Sequence, residues 1–418
     1  MNVSRILVIV TCLLLLASPS PAVEVEVGQT IEVKATNPQG VPIHRDPRPS
    51  MTGRVADGSR GQVLALADDG HWLKVTFAAG RTGWIIEQYV ARVIAVPPPP
   101  GPVPADEAKV WGSAEGCRQV VVAGRRAAPA SAELVRVGTW NIRWFPEDTT
   151  NVEWVACVIA WLNVDLLSVN EITDTEDARS AMSRVLLLLA SFTQATWQVS
   201  LHECGAASAQ HVGFLWNTGR VTLREQRDMW QFNARAKATG SPCAGSLRPG
   251  RYARVQANGG GVNFHAISVH LKSSATPEAR AERLTVLNRL GTAVSDLRQR
   301  DEDIIILGDF NTMGDNSTGS AQAEIQDLFT VAALQEPGFV RLTVTPACSE
   351  YFKGQGGWLD HILVSRLMAE VDLTRSARMT GYCSVKACAN IGQEKPAAYQ
   401  QLSDHCPIVV EVRNSDVD

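Results

Sequence analysis

Hydrophobic and polar positions change rhythm twice along the 418-residue chain. A short apolar run covers Ile6 to Ala17. Brief alternating stretches follow, and Thr30–Lys34, Gly61–Ala67, Trp72–Phe77 and Thr82–Ile86 read as strands between Gly, Pro and Asp turns. From about Glu133 the pattern becomes denser. Runs rich in Val, Ile and Leu predict strands at Leu134–Trp140, Leu166–Asn170, Val212–Trp216, Tyr252–Gln256, Val262–His270, Asp303–Leu307, Leu359–Val364 and Ile408–Val412. Amphipathic stretches between them predict helices at Val152–Leu162, Asp177–Leu189, Pro277–Arg298 and Ala321–Ala333. Strands of this kind separated by helices imply sheets covered by helices, a layered α/β or α+β design.

The breaks in the pattern divide the chain. The first apolar run is well short of the roughly 20 residues that span a bilayer. With Arg5 before it and Ser20-Pro21-Ala22 after it, residues 1–22 read as a signal peptide, so a secreted or periplasmic protein is expected. Cys12 lies inside the apolar run and is not placed for lipid attachment. Residues 23–95 form a small β-rich domain. Pro97 to Pro100, Gly101-Pro102 and Pro104 then favour extended backbone, so 96–132 is expected to be a proline-rich linker and 133–418 the larger domain. No internal repeat is visible, no membrane span is expected, and a monomer is.

Charge narrows the class of partner. A net charge of −4 gives no sign of a nucleic-acid coat protein or a polybasic membrane binder, so a phosphate-rich substrate would be held by local charge or by metal. Setting Cys12 aside, the cysteines are Cys117, Cys157, Cys204, Cys243, Cys348, Cys383, Cys388 and Cys406. An even number in an exported chain suggests disulfides. Local spacing favours Cys383–Cys388, and Cys204–Cys243 would close one excursion between strands. No cysteine–histidine ladder has zinc spacing.

The candidate chemistry sits at strand ends. "LVRVGTWN" ends in Asn141, "DLLSVNE" in Glu171 and "NFHAISVH" in His270. "DIIILGDFN" delivers Asp309 and then Asn311, "WLDHILVS" carries Asp360, and "LSDHCPIVVEV" opens with Asp404 and His405. Buried strands fix the backbone, so their ends aim side chains into one cleft. Carboxylates and amides without thiolates make a hard, oxygen-rich site suited to Mg²⁺ or Mn²⁺, with structural Ca²⁺ an additional candidate. Histidines beside them can donate to phosphate oxygens or handle protons.

The motifs "TWNIRW", "VNEI", "SVHLKS", "ILGDFNT", "LDHILVS" and "LSDHCPI" resemble, in this order, those of the endonuclease/exonuclease/phosphatase superfamily, which includes deoxyribonuclease I-like enzymes. The resemblance covers roughly residues 134–413. It implies a four-layer α/β sandwich, two packed β-sheets flanked by helices. It also implies Glu171 as principal metal ligand with Asn141 beside it and Asp404 as a further ligand. Asp309 would orient or deprotonate the attacking water, and Asn311 would hold water or phosphate. His405, oriented by Asp360, would contact the scissile phosphate, and His270 would stabilise the pentacovalent phosphate. Arg251, opening "RYARV", matches the phosphate-side arginine. Separately, "DDGHWLKVTFAAGRTGWIIEQYV" resembles the bacterial SH3-like domain, a small β-barrel, implying either a cell-wall peptide ligand or a spacer.

One position departs from the deoxyribonuclease-like pattern: around Gln210-His211, where a glutamate would pair with the second histidine, no carboxylate stands. The reading is therefore an exported Mg²⁺-dependent DNA endonuclease of low sequence specificity, with Arg251, Arg254 and Lys272 as a positive rim. The alternatives are a sphingomyelinase-like or other phosphoesterase of the same fold, and a wall-binding protein with an inactive catalytic domain. Trp140, Trp144 and Trp216 read as core, and the charges of Pro277–Arg298 as a solvated face.

Overall fold

The computed structural model describes residues 25, 30–67, 71–77, 81–94, 105–173, 180–314, 321–333, 338–373, 377–393 and 395–416. The expected signal peptide and the proline run lie outside the described residues. The chain divides into two compact units, Met1–Val96 and Pro97–Asp418.

In the first unit the strands form one antiparallel sheet in the order Met51–Val55, Val41–His44, Thr82–Ile86, Trp72–Phe77, Arg60–Leu66, Thr30–Val33, Val90–Ile94. Alternation is clearest in Trp72–Phe77, where Leu73, Val75 and Phe77 are buried and pack with Ile31, Val41, Val63 and Ile85. Val41–His44, Met51–Val55 and Val90–Ile94 go beyond the strands read from sequence. Pro42 and Gly53 blunt the alternation of the first two. Among the described residues the sheet order is open, and no closed barrel is seen.

The second unit holds two larger sheets. One runs Trp197–Leu201, His211–Asn217, Leu166–Ile172, Leu134–Phe145, Ile408–Arg413, Ala377–Met379, Val344–Thr345. The other runs Val221–Met229, Gly250–Ala257, Asn263–His270, Ile304–Asp309, Asp360–Ser365, Phe339–Arg341. The sheets face each other: Ser168 Oγ of one lies 2.7 Å from Ser268 Oγ of the other, and Val137 and Leu166 share a core with Ala253, Val255, Ala266, Ile305 and Leu307. Strand Ile304–Asp309 shows the period of two, because Ile305 and Leu307 enter that core while Ile304 and Ile306 pack on the outer helices with Val286, Leu290, Val294 and Leu328. Helix Val152–Leu162 covers the first sheet and is buried at every position except Glu153. Helices thus lie on the outer faces of both sheets.

Three expectations change here. The segment expected to be linker contains helices Ala105–Val110 and Ala114–Val122, and Val110, Trp111, Cys117, Val120 and Val121 join the core. The proline run masks two short helices, the second of which buries one face through Gly116, Cys117, Val120 and Val121. The stretch Pro277–Arg298 is two helices, Pro277–Leu287 and Leu290–Arg298. Its charges are not all solvated, because Arg283 is buried against Glu324 with contacts of 2.6 and 2.8 Å. The disulfides are Cys117–Cys157, Cys204–Cys243, Cys348–Cys388 and Cys383–Cys406. The expected Cys383–Cys388 link is therefore replaced by two longer ones. Cys383 lies on the short helix Tyr382–Val385 with its side chain in the core, whereas Cys388 ends the following turn at φ 58°. Closeness in sequence does not align their side chains.

Arg283 also donates to the carbonyls of Lys272, Ser274 and Gly314, so one guanidinium ties together the loops leaving the His270 and Asp309 strands. Removing one member of a buried, fully hydrogen-bonded pair leaves the other charge stranded. Arg283→Met is expected to cost about 3–5 kcal/mol in denaturant unfolding. A loss below about 1 kcal/mol would show that the pair holds nothing together.

Candidate active site

The site forms where the two central parallel strand pairs end. In the first sheet Asn141 lies level with Asn170, and Glu171 is the next residue. In the second sheet His270 pairs with Asp309, and Asp309 pairs with Asp360, so these three stand in one row across neighbouring strands. The row needs close strand packing at Gly308, where a Cβ would collide with the Val269 carbonyl. Asn170 joins the sheets: its Oδ1 accepts from the Asp309 N–H at 3.2 Å, and its Nδ2 donates to the Val269 carbonyl at 3.2 Å.

Glu171 takes a left-handed backbone, φ 64°, uncommon for a residue with a side chain. Its Oε2 accepts from the Trp144 N–H at 3.0 Å, and its Oε1 from Asn141 Nδ2 at 3.1 Å. Asn141 Nδ2 also reaches Asp309 Oδ2 at 3.0 Å, so one buried amide links both carboxylates. Asp309 is buried, and its Oδ1 accepts from the Asn311 N–H at 2.8 Å. Burial first, and Asp360 second, push its pKa up to about 7 against the opposing influence of His405. Asn311 turns at φ 52° and spends its Nδ2 on the Leu271 carbonyl at 3.1 Å.

Opposite them, His405 Nδ1 lies 2.7 Å from Asp360 Oδ2. Burial opposes the imidazolium, but Asp360 outweighs it by charge and hydrogen bond, aided by Asp309 and Asp404, and the pKa lies well above the ordinary value. The pair is braced from behind. Ser349 Oγ accepts from the Leu359 and Asp360 N–H groups, and Ser403 Oγ accepts from the His405 N–H while donating to the Asn141 carbonyl. The Cys383–Cys406 disulfide starts at the residue after His405, and Cys348–Cys388 at the residue before Ser349.

His270 is buried, with Nε2 3.5 Å from Asp309 Oδ2 and 3.7 Å from Glu171 Oε1. Its Nδ1 has no hydrogen-bond partner. Burial, then Arg248 and His405, hold its pKa well below the ordinary value, so it is neutral near pH 7. Asp404 is half-buried on the side of Arg143. Burial works against the Arg143 charge, but Asp404 and Glu147 hold its pKa above the usual value.

Arg251 goes elsewhere. Its guanidinium pairs with Asp228 at 2.8 Å and with Ser200 Oγ, and among the described residues no hydrogen bond or ion pair links it to the cluster. Three residues earlier, Arg248 takes the site-facing place, donating to the carbonyls of His270 and Leu271 and to Gln210 Oε1 at 3.1 Å. Burial works against its charge, which Glu171 and Asp309 support. Gln210, where a glutamate was the expected pattern, therefore binds an arginine, and both ring nitrogens of His211 lie 3.0 Å from backbone carbonyls. The signal for Arg248 is its place just before strand Gly250–Ala257, at the same edge where the antiparallel His270 strand ends. Glu350 was also missed. It lies in a backbone bridge with His405, and burial first, against His405 and with the neighbouring aspartates, pushes its pKa up to about 8.

The donor set fits a hard divalent cation. Ligand atoms of Glu171, His270 and Asp309 lie within 4.8 Å of one another, as do those of Asp309, Asp360 and His405. A third such group, His202, Cys204 and Asp228, does not fit, because Cys204 is in a disulfide and Asp228 pairs with Arg251.

Residues 138–405 match the Endonuclease/Exonuclease/phosphatase family, and the chain belongs to it. Enzymes of this family hydrolyse phosphoesters and depend on divalent metal. No curated protein matches the chain. Among solved structures it is similar to an endonuclease/exonuclease/phosphatase from Bacteroides vulgatus, at 15% identity and TM-score 0.46, covering 68% of this chain and 99% of that one. The human nocturnin catalytic domain with bound sulfate anion is similar at 16% identity and TM-score 0.44, covering 68% and 95%. Truncated Caenorhabditis elegans TDP2 is similar at 14% identity and TM-score 0.44, covering 67% and 98%.

Proposed function

We propose that this protein is an exported, divalent-metal-dependent phosphodiesterase that cuts DNA with little base specificity. The observation that carries this reading is the meeting of two unlike groups at one carboxylate. Asp309 lies within 4.0 Å of His405 Nε2 and 3.5 Å of His270 Nε2. One histidine is held protonated and the other neutral.

Glu171, with Asn141 and Asp404, would hold Mg²⁺ or Mn²⁺, which supplies positive charge to the non-bridging phosphate oxygens. Asp309, whose proton affinity burial raises, takes the proton of the attacking water. Asn311 fixes that carboxylate through its backbone N–H. The His405 imidazolium, oriented by Asp360, donates to the phosphate as charge develops. His270 stays uncharged among the carboxylates, and Arg248 adds fixed positive charge behind it.

Local cations suit a DNA backbone despite the negative net charge, because phosphate contacts are local. Lys272 follows His270, and Lys395 stands over Tyr399, whose backbone carbonyl accepts from Arg143. The eight paired cysteines support an oxidising destination. Among the described residues no helix is long and apolar enough to cross a membrane. The N-terminal sheet would serve as an SH3-like module that tethers the enzyme to cell-wall peptide. The test offers supercoiled plasmid, sphingomyelin vesicles and a phosphomonoester side by side in Mg²⁺. Nicked plasmid with the other two intact is expected, and rapid lipid cleavage beside intact plasmid would overturn the DNA assignment.

A further inference from the structure

Trp144 does not enter the core. Trp140 and Trp216 are buried as expected, but Trp144 is 53% exposed. Several other tryptophans of this unit are spoken for. Trp111 and Trp140 pack edge to face, and Trp161, Trp230 and Trp358 each carry an arginine over the ring. Among the described residues Trp144 has neither kind of partner.

Its backbone shows why it faces outward. Arg143 and Trp144 both stand in the left-handed region, at φ 35° and 45°, a costly conformation for bulky residues. That turn aims the Trp144 N–H at Glu171 Oε2, 3.0 Å away. The same residue therefore holds the Glu171 carboxylate with its backbone N–H and carries an exposed indole. Burying an indole in water-excluding contact is favourable, and so is stacking it on a flat heteroaromatic ring. Base–aromatic stacking is tolerant of sequence and needs a base free of its duplex partner.

Building on the nuclease reading, we propose that Trp144 is a stacking platform for an unpaired nucleobase next to the scissile phosphate. The enzyme then prefers single-stranded or locally opened DNA over intact duplex. The base lies on the indole, its phosphate reaches toward Glu171 and His405, and specificity for base identity stays low because every base offers a π-face.

The test uses the full-length protein and single-stranded oligonucleotides with one cleavable linkage, the flanking nucleotides being either intact or abasic. Trp144→Ala is expected to lower kcat/KM on the intact oligonucleotide roughly tenfold or more, mainly through KM, and Trp144→Phe to restore most of it. On the abasic oligonucleotide the penalty should shrink to within about threefold, since the stacking partner is already gone. A second readout needs no turnover. In a His405→Ala background, 2-aminopurine beside the linkage should be quenched on binding, and adding Trp144→Ala should abolish the quench. Wild-type cleavage with Trp144→Ala equally active on intact strands, or equally penalised on abasic ones, would overturn the platform and leave the nuclease reading standing. Wild-type protein that nicks plasmid but leaves every single-stranded oligonucleotide intact would overturn the platform alone, and one that cleaves neither would overturn both.

Discussion

Stripping the protein with EDTA is expected to abolish phosphodiester hydrolysis, and Mg²⁺ or Mn²⁺ to restore it. The reason lies in what the cluster cannot do by itself. Glu171, Asp309, Asp360, Asp404 and Glu350 gather round two histidines, and only one of those histidines is held protonated. Arg248, half-buried beside the group, is committed to two carbonyls and Gln210. A phosphodiester brings further negative charge to an already acidic cleft, which calls for a cation with hard oxygen ligands. Ca²⁺ prefers more ligands and a looser shell than Mg²⁺, so it is expected to bind without supporting comparable rates. Full turnover after exhaustive chelation, confirmed by metal analysis, would contradict this.

Substitution inside the cluster is expected to have the next largest effect. His405→Ala, Asp309→Ala and Glu171→Ala should each lower the rate by roughly two or more orders of magnitude, the usual range for lost acid–base or charge-stabilising groups. The three should differ in stability. Glu171 is partly exposed, so its loss should leave folding nearly unchanged. His405→Ala strands the buried Asp360, whose Oδ1 already lacks a hydrogen-bond partner, and should lower the melting temperature as well. Asp360→Asn separates orientation from charge: it keeps the shape but lowers the His405 pKa toward the ordinary value, so the alkaline limb of the pH–rate profile, where the imidazolium is lost, should move to lower pH. Folded variants with near-native rates would remove these residues from the chemistry.

The strand ends were legible because strands buried on both faces leave an unmistakable apolar run. In "IIILGDFN" the change from Ile and Leu to Gly-Asp marks the end of the strand, and Gly308 is needed there for close packing. Asn141, Glu171, His270, Asp309, Asp360 and His405 are brought together in this way. What failed depended on side-chain direction. Arg248 and Arg251 are three residues apart at a strand entry, and only the register shows that Arg251 faces Asp228 while Arg248 faces His270. Trp144 looked like core because its neighbours Trp140 and Phe145 are core. Its left-handed backbone reverses the side chain, and no alternation pattern announces such a turn. The Cys204–Cys243 pairing was legible, whereas the Cys383–Cys388 expectation failed for the same reason, since chain proximity says nothing about which way those two side chains point.

The most direct single measurement is the initial rate of supercoiled-plasmid nicking across a Mg²⁺ titration, for the wild type and Glu171→Gln in parallel. Among the described residues Glu171 makes hydrogen bonds to Asn141 and Trp144 and lies beside His270, with Arg248 near enough to feel its charge. The wild type should nick plasmid with saturable Mg²⁺ dependence, while Glu171→Gln should need far more Mg²⁺ and remain at least about a hundredfold slower at saturation. Equal rates at every Mg²⁺ concentration, or plasmid left intact by both proteins, would contradict metal-assisted phosphodiester cleavage at this site.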